Sequence, residues 1–510
     1  MTRHTPHNNI SVPPGNVSPL PVSAVYFIGI GGIGMSALAR YYKYAGATVA
    51  GYDRTPSALT AELEREGIDI HYEDDVSLIP TTFLPQKKTS RTAAAPPAGI
   101  LVIYTPAVPT EHRELNWFRQ HRYTIIKRSE ALGHIAAGKT TIAIAGTHGK
   151  TTISTLTAHL LTQAGRDCTA FMGGISKNYH TNVLLSSSPV LVAEADEFDR
   201  SFLQLFPQMA VVTAADADHL DIYGTPEAVT QAYIDFVRQV QPGGTLILKK
   251  GLYLPIADRQ AGNISVYRYA ANEVADFYAT NIRRLDNGLL QFDLHVPHHL
   301  IGECILGIPA RVNIENAVAA VAAAWIYMKS AQKLSYAFMK TIRGALASFN
   351  GVQRRFDVQL NTPHCAYVDD YAHHPEELRA AITSLRETFP RRKITGIFQP
   401  HLYTRTRDFA DAFADSLSLL DELIMLDIYP AREEPIPNVT AALILDKVTL
   451  PQKQLCTQSD LLDVLKTKKI DVLVTFGAGD IDRLVQPLAK WMKKKEQYEI
   501  HPSSFMLPTP

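Results

Sequence analysis

The sequence predicts an α/β protein organised as three domains, and three observations carry that expectation. Two glycine-rich loops, Gly29-Ile30-Gly31-Gly32-Ile33-Gly34 and Gly146-Thr147-His148-Gly149-Lys150-Thr151-Thr152, each follow an apolar run and precede a helix-like one. Short apolar runs alternate with helical periods along most of the chain. A length of 510 residues exceeds what one core organises and suits about three units of roughly 150 residues each.

In the first unit, Val25–Ile30 reads as a strand, Met35–Ala45 as a helix and Thr48–Tyr52 as a second strand ending near Asp53. Ile100–Tyr104 and Thr124–Ile126 read as later strands, completing a small doubly wound sheet. The Lys/Thr/Ala/Pro stretch from Pro80 to Gly99 reads as a surface insertion without fixed structure. A second unit opens at Lys139, with strands at Thr141–Ala145, Val190–Ala193, Met209–Ala214 and Thr245–Lys249 and a helix over Ile153–Ala164. Leu289–Val296 alternates polar and apolar residues as a half-exposed strand does, and an alanine-rich helix runs from Ile314 to about Ser330. The third unit opens near Gly351, with strands at Ala366–Val368, Ile394–Phe398, Glu422–Leu426 and Val472–Thr475. No internal repeat is visible. The expected boundaries are a disordered N-terminus 1–23, domains 24–136, 137–348 and 349–492, and a fraying tail 493–510.

Composition excludes several classes. Lys plus Arg equals Asp plus Glu at 50 each, so no global field favours nucleic acid or an anionic membrane, and neither partner is expected. Four scattered cysteines without a CxxC pair indicate neither a disulfide frame nor a zinc site, which suits a reducing, cytoplasmic setting. The N-terminal stretch lacks the apolar core of a signal peptide, and the run Asn316–Met328 is too short to span a bilayer.

Both loops place backbone N–H groups and a helix N-terminus where they meet an anion. The first is a G-x-G-x-x-G with Asp53 near the place of a ribose-binding acid, and by itself it fits NAD or another nucleotide diphosphate. The second is a shortened P-loop in which Lys150 suits β- and γ-phosphates and Thr151 offers a hydroxyl to Mg²⁺. Glu194-Ala195-Asp196-Glu197-Phe198-Asp199 sets four acids at the end of a buried strand, where they suit a hard cation or form a solvated acidic turn. His219, in Asp216-Ala217-Asp218-His219, reads as a metal ligand or a capping residue. Arg354-Arg355-Phe356-Asp357, Asp369-Asp370-Tyr371-Ala372-His373-His374-Pro375 and the basic loop from Gln399 to Arg407 either meet a γ-phosphate from another domain or form surface ion pairs.

Taken together, Phe27–Ala39, Ala145–Thr152, Glu194–Phe202, Asp218-His219, Asn313–Ala319, Arg354–Asp357, Asp369–Pro375 and Gln399–Arg405 closely resemble the Mur ligases of peptidoglycan synthesis. The resemblance runs from about Val25 to Asp482, and the first loop with the D-D-Y-A-H-H-P run points to the alanine-adding branch. It implies an N-terminal Rossmann-like UDP-binding domain, a central P-loop ATPase-like domain and a C-terminal Rossmann-like domain. The activity implied is ADP-forming: ATP phosphorylates the lactyl carboxylate of UDP-N-acetylmuramate, and L-alanine displaces phosphate from the acyl phosphate. ATP and Mg²⁺, as two ions, are the cofactors implied, with a monomer or dimer as the acting form.

Carried over by position, Gly29, Gly31, Gly32, Gly34, Met35 and Ser36 would hold the UDP part, with Asp53, His71, Thr105 and Arg128 lining the same pocket. Gly146, Thr147, His148, Gly149, Lys150, Thr151 and Thr152 would hold ATP, with Thr151 and Glu194 on the first Mg²⁺ and His219 on the second. Asn316 would meet adenine, Arg355 the γ-phosphate region and Asp370 the ribose. Tyr371, His373 and Arg405 would sit by the alanine and the reacting carboxyl. Lys150, His219, Arg355, His373 and Arg405 form the catalytic set so implied. Two departures stand out: Ala214 where the family commonly has Asn, and Leu402 where it often has Arg. The second removes a cation from the amino-acid site and loosens the expected discrimination against L-serine and glycine. Rival readings are an NAD oxidoreductase, a nucleotide sensor without turnover, and a ligase that attaches a preformed tripeptide to the same sugar.

Overall fold

The computed structural model describes residues 22–85, 98–216, 220–254, 263–431 and 433–500. These residues form three sheets in chain order, each flanked by helices. The first contains β1 (Ala24–Ile28), β2 (Thr48–Tyr52), β3 (Asp69–His71), β4 (Ile100–Tyr104) and β5 (Thr124–Lys127). They are all parallel, in the order β3-β2-β1-β4-β5. Chain order reverses between β1 and β4, so the first glycine loop leaves β1 at the switch point, where a crevice opens beyond the carboxyl ends. β1 is buried on both faces, which explains its unbroken apolar sequence.

The second sheet contains β6 (Thr140–Ala145), β7 (Thr169–Phe171), β8 (Val183–Leu184), β9 (Val190–Glu194), β10 (Met209–Val212), β11 (Thr245–Lys249), β12 (Ser265–Ala271), β13 (Phe277–Arg284), β14 (Leu290–Val296) and β15 (His299–Leu306). Their order is β15-β14-β13-β12-β11-β10-β6-β9-β7-β8. The middle is parallel, while β13-β14-β15 is an antiparallel meander and β7-β8 a short hairpin. The phosphate loop leaves β6 between β10 and β9, and the acidic segment leaves β9 alongside it. The alanine-rich helix, Val312–Ser330, is buried from Ala317 to Ala324 because small side chains let it lie close on the sheet.

The third sheet contains β16 (Asp357–Asn361), β17 (Ala366–Asp370), β18 (Ile394–Phe398), β19 (Glu422–Met425), β20 (Lys453–Leu455) and β21 (Val472–Phe476), ordered β16-β17-β21-β18-β19-β20. Only the β16–β17 pairing is antiparallel. No helix among the described residues is long and apolar enough to cross a membrane.

Several expectations need correction. β1 ends at Ile28, not Ile30, because Gly29 turns away at φ +86°. The helix after the second loop starts at Lys150, three residues before the expected Ile153, with Gly149 (φ +81°) as its cap. The stretch from Pro80 has structure at its start: Thr81–Phe83 is a 3-10 turn, Phe83 is buried, and its carbonyl accepts the Tyr123 hydroxyl at 2.5 Å. Residues 86–97 of that stretch lie outside the described residues, as do 1–21 and 501–510. The last helix runs Asp482–Ile500, past the expected start of a fraying tail at 493.

Candidate active site

The second loop is held by the end of β10. Thr147 N–H donates to the Ala214 carbonyl (3.3 Å), Thr213 Oγ1 donates to the His148 carbonyl (2.5 Å), and Asp216 N–H donates to Thr147 Oγ1 (2.9 Å). A Cβ on Gly146 would collide with Thr213 Oγ1 and come within 2.8 Å of Ala214 N, so only glycine permits this approach. The family-departing Ala214 therefore serves the loop through its backbone. Asn316 stands behind the loop, with Oδ1 2.5 Å from where a Gly149 Cβ would be. Thr152 is buried, and exposed His148 lies 3.6 Å from Asp216.

Lys150 does not face solvent, as a phosphate lysine on an open loop would. Its side chain is 14% exposed and its Nζ lies 2.8 and 2.9 Å from the oxygens of Glu197, itself 2% exposed. Burial alone would lower the lysine pKa, but Glu197, Asp196 and Glu194 outweigh it and hold it above its ordinary value. For Glu194 burial prevails: it raises the carboxyl pKa, opposed by Lys150 and then by Arg355. Arg355 belongs to the segment leading into the third sheet, so two domains act on one carboxylate.

Glu194 Oε2 is buried with no hydrogen-bond partner among the described residues, and Thr151 acts with Lys150 and Arg355 against the rise that burial gives this carboxyl's pKa. A Cβ on Gly173 would collide with this same Oε2, so only a glycine lets the chain pass so close to the carboxyl group. An orphaned carboxylate oxygen beside a threonine hydroxyl fits Mg²⁺, which takes few protein ligands and keeps water or phosphate oxygens in the remaining positions. No group of three His, Cys, Asp or Glu side chains that could hold a metal occurs among the described residues, and His219 lies outside them.

Around the first loop the structure assembles residues from far apart in sequence. Asp53 Oδ2 accepts the Gly31 N–H at 2.7 Å. Cβ atoms on Gly29 and Gly34 would meet Thr105 Cγ2 (2.7 Å) and Arg128 Nη1 (2.8 Å). Arg128 also approaches Asp196 at 3.6 Å, linking this loop to the acidic segment. His71 pairs with Tyr52 in the sheet register, and its Nε2 contacts Glu114 (2.6 Å) and Tyr26 Oη (3.3 Å). Met35 and Ser36 are both buried, and Ser36 Oγ bonds Ile33 O and Asn182 where the first helical turn packs against the central domain.

In the third unit Arg355 lies over the Tyr371 ring at 5.0 Å. Asp370 accepts the N–H groups of Phe356 (2.7 Å) and Ala372 (2.8 Å), fixing the turn that presents Arg355. Burial raises the Asp370 pKa to about 6, against those two N–H groups and Arg355. His373 Nδ1 is 3.1 Å from Glu377 Oε2. Burial would raise the Glu377 pKa, but His373 and Arg355 hold it well below the carboxylate range. Arg405, in the helix Tyr403–Asp408, has a buried Nη1 with no hydrogen-bond partner among the described residues, a donor suited to an anionic group. Leu402 adopts φ +72°, so the departure at this position sits on strained backbone.

The chain matches "Mur ligase family, catalytic domain" over residues 24–140, "Mur ligase middle domain" over 144–324 and "Mur ligase, glutamate ligase domain" over 354–480. It is 52% identical over 475 residues to a UDP-N-acetylmuramate–L-alanine ligase of Parabacteroides distasonis, covering 93% of this chain and 98% of that one. The chain belongs to the Mur ligase family. Among solved structures, this Mur ligase is similar to the UDP-N-acetylmuramate–alanine ligase of Thermotoga maritima, with TM-score 0.74 and 26% identity over 92% of this chain and 99% of that one. A murein peptide ligase of Psychrobacter arcticus shares the fold at TM-score 0.63 and 20% identity, over 92% of this chain and 98% of that one.

Two predictions follow from the charges of this Mur ligase. Lys150→Ala leaves Glu197 buried without its lysine, so it should lose turnover and also about 3–5 kcal/mol of stability. Adding Glu197→Gln should restore much of that stability and none of the turnover. Chemical unfolding checks this, and a Lys150→Ala protein as stable as wild type would contradict the buried pair. The raised pKa of Asp370 makes its contribution to stability full below about pH 4 and lost as pH rises through about 6. ¹³C NMR of aspartate-labelled protein should show that midpoint, and Arg355→Met should move it upward; an ordinary midpoint or a downward move would contradict the assigned cause.

Proposed function

We infer that the chain joins L-alanine to the lactyl carboxylate of UDP-N-acetylmuramate at the expense of ATP, releasing ADP and phosphate in peptidoglycan precursor synthesis. The observation that carries the reading is the close approach of the third unit to the phosphate loop: a Cβ on Gly174 would meet both Val352 Cγ1 (2.6 Å) and Thr151 Cγ2 (3.3 Å), and Lys150 and Arg355 both act against the raised pKa of Glu194.

A carboxylate is a poor acyl donor until one of its oxygens becomes a good leaving group. Lys150 and the loop N–H groups hold the nucleotide phosphates, and Arg355 neutralises charge on the phosphoryl group as the lactyl oxygen takes it from ADP. Thr151 and Glu194 would hold Mg²⁺, which would supply charge neutralisation for the phosphates, and His219 is the residue proposed for a second ion. L-alanine must lose a proton before its amine attacks the acyl carbon. His373, with Nδ1 directed at Glu377, presents Nε2 as the acceptor. Collapse of the tetrahedral intermediate forms the amide and expels inorganic phosphate. Arg405 is assigned to the amino-acid carboxylate, and Gly29, Gly31, Gly32 and Gly34 with Asp53, Thr105 and Arg128 to the sugar nucleotide. Asn316 and Asp370 are assigned to the adenosine. The setting proposed is cytoplasmic.

Phosphate release with ATP and Mg²⁺, supplying UDP-N-acetylmuramate and L-alanine singly and together, tests the reading. Release should require both. Consumption of NADH, nucleotide binding without turnover, or release only with a preformed tripeptide would overturn it.

A further inference from the structure

Asn182 is fully buried just before the short hairpin strand β8, and its side chain makes three hydrogen bonds, all across a domain boundary. Its Nδ2 donates to the Ile33 carbonyl (2.5 Å) and to Ser36 Oγ (2.8 Å), both in the first turn of the helix that follows the first glycine loop. Its Oδ1 accepts from Arg40 Nη1 at 2.6 Å, and Arg40 is itself anchored by Glu66 (2.7 and 2.9 Å) and Glu62 (3.2 Å). A flipped amide would set N–H against guanidinium and oxygen against carbonyl, so only one orientation is compatible with its neighbours. That first turn has no side-chain cap of its own.

The same hairpin reaches the ATP side. Met172 N–H donates to the Asn182 carbonyl at 3.0 Å. The next two residues are the glycines that lie against Glu194 and, at 3.3 Å for a built Cβ, against Thr151 Cγ2. The step from the sugar-nucleotide loop to the metal-binding carboxylate is therefore one side-chain amide, one backbone hydrogen bond and one close approach.

We propose that Asn182 is a positioning residue that fixes the sugar-nucleotide loop relative to the phosphate site, setting the lactyl carboxylate in line with the transferred phosphoryl group. The proposal rests on the ligase reading above. Phosphoryl transfer depends steeply on placement, and a shift of about 1 Å costs on the order of a hundredfold in rate.

Two substitutions separate positioning from support. Asn182→Ala removes all three bonds, whereas Asn182→Asp keeps an acceptor for Arg40 and loses both donors. Each should lower kcat by about ten- to a hundredfold with KM for ATP and L-alanine within about twofold, and the Asp variant should melt near wild type. Wild-type kcat in either, or recovery of kcat in Asn182→Asp alone, would overturn the proposal, the second by showing that the amide merely holds Arg40. If neither folds, Ser36→Ala, which removes one acceptor, decides: a severalfold fall in kcat supports the proposal and an unchanged kcat overturns it. Wild-type protein inert with both substrates would instead contradict the ligase reading.

Discussion

Buried charge at the carboxyl ends of β6 and β9 is the constraint around which the site is arranged. Glu197 is buried and Lys150 and Glu194 are only partly exposed, so water screens them poorly, and charges so placed require partners. Lys150 has Glu197; Glu194 has the electrostatic support of Lys150 and Arg355 and retains a buried oxygen with no partner among the described residues. An unbalanced acceptor beside a cationic pair suits ligands that bring both a divalent cation and a polyphosphate. Chemistry and packing thus draw on the same few side chains.

The three sheets meet this constraint through polar ties between domains. Lys127 pairs with Asp199 at 2.9 Å, Arg128 approaches Asp196, and Lys177 binds Asp357 at 2.6 Å at the entry to the third sheet. Ser176 and Val352 form an isolated bridge beside Lys177. The partly exposed pairs Lys127–Asp199 and Arg128–Asp196 contribute little net stability and set orientation, whereas Asp357 is buried beside its lysine. The buried Arg40–Asn182 contact is different in kind, since breaking it strands polar groups away from water.

What was legible in the sequence follows the same physics. Strands β1, β4, β6, β9, β10, β11, β18 and β21 are buried parallel strands, and burial on both faces writes a continuous apolar run. The shortest strands were not legible, β3 and β20 with three residues and β8 with two, and neither were β12 and β13 inside the second sheet, which mix exposed polar residues with apolar ones. The phosphate loop could be read because its glycines, lysine and threonines have spacing dictated by the anion. Glu197 as the partner of Lys150, Gly173 behind Glu194, and Asn182 could not, because nothing local distinguishes a buried polar residue from an exposed one. The burial of Ser36 escaped for the same reason, its hydroxyl being claimed by a residue 146 positions away.

The central claim is that charges from two domains converge on one phosphoryl group while a third domain presents the carboxylate that receives it. A crystal structure with a non-hydrolysable ATP analogue, Mg²⁺ and UDP-N-acetylmuramate tests this most directly. Lys150 should have exchanged Glu197 for a phosphate oxygen and Arg355 should touch the γ-phosphate, with a lactyl oxygen about 3–3.5 Å from the γ-phosphorus. A fully liganded complex in which Lys150 stays on Glu197 and the carboxylate lies out of bonding reach would contradict the account.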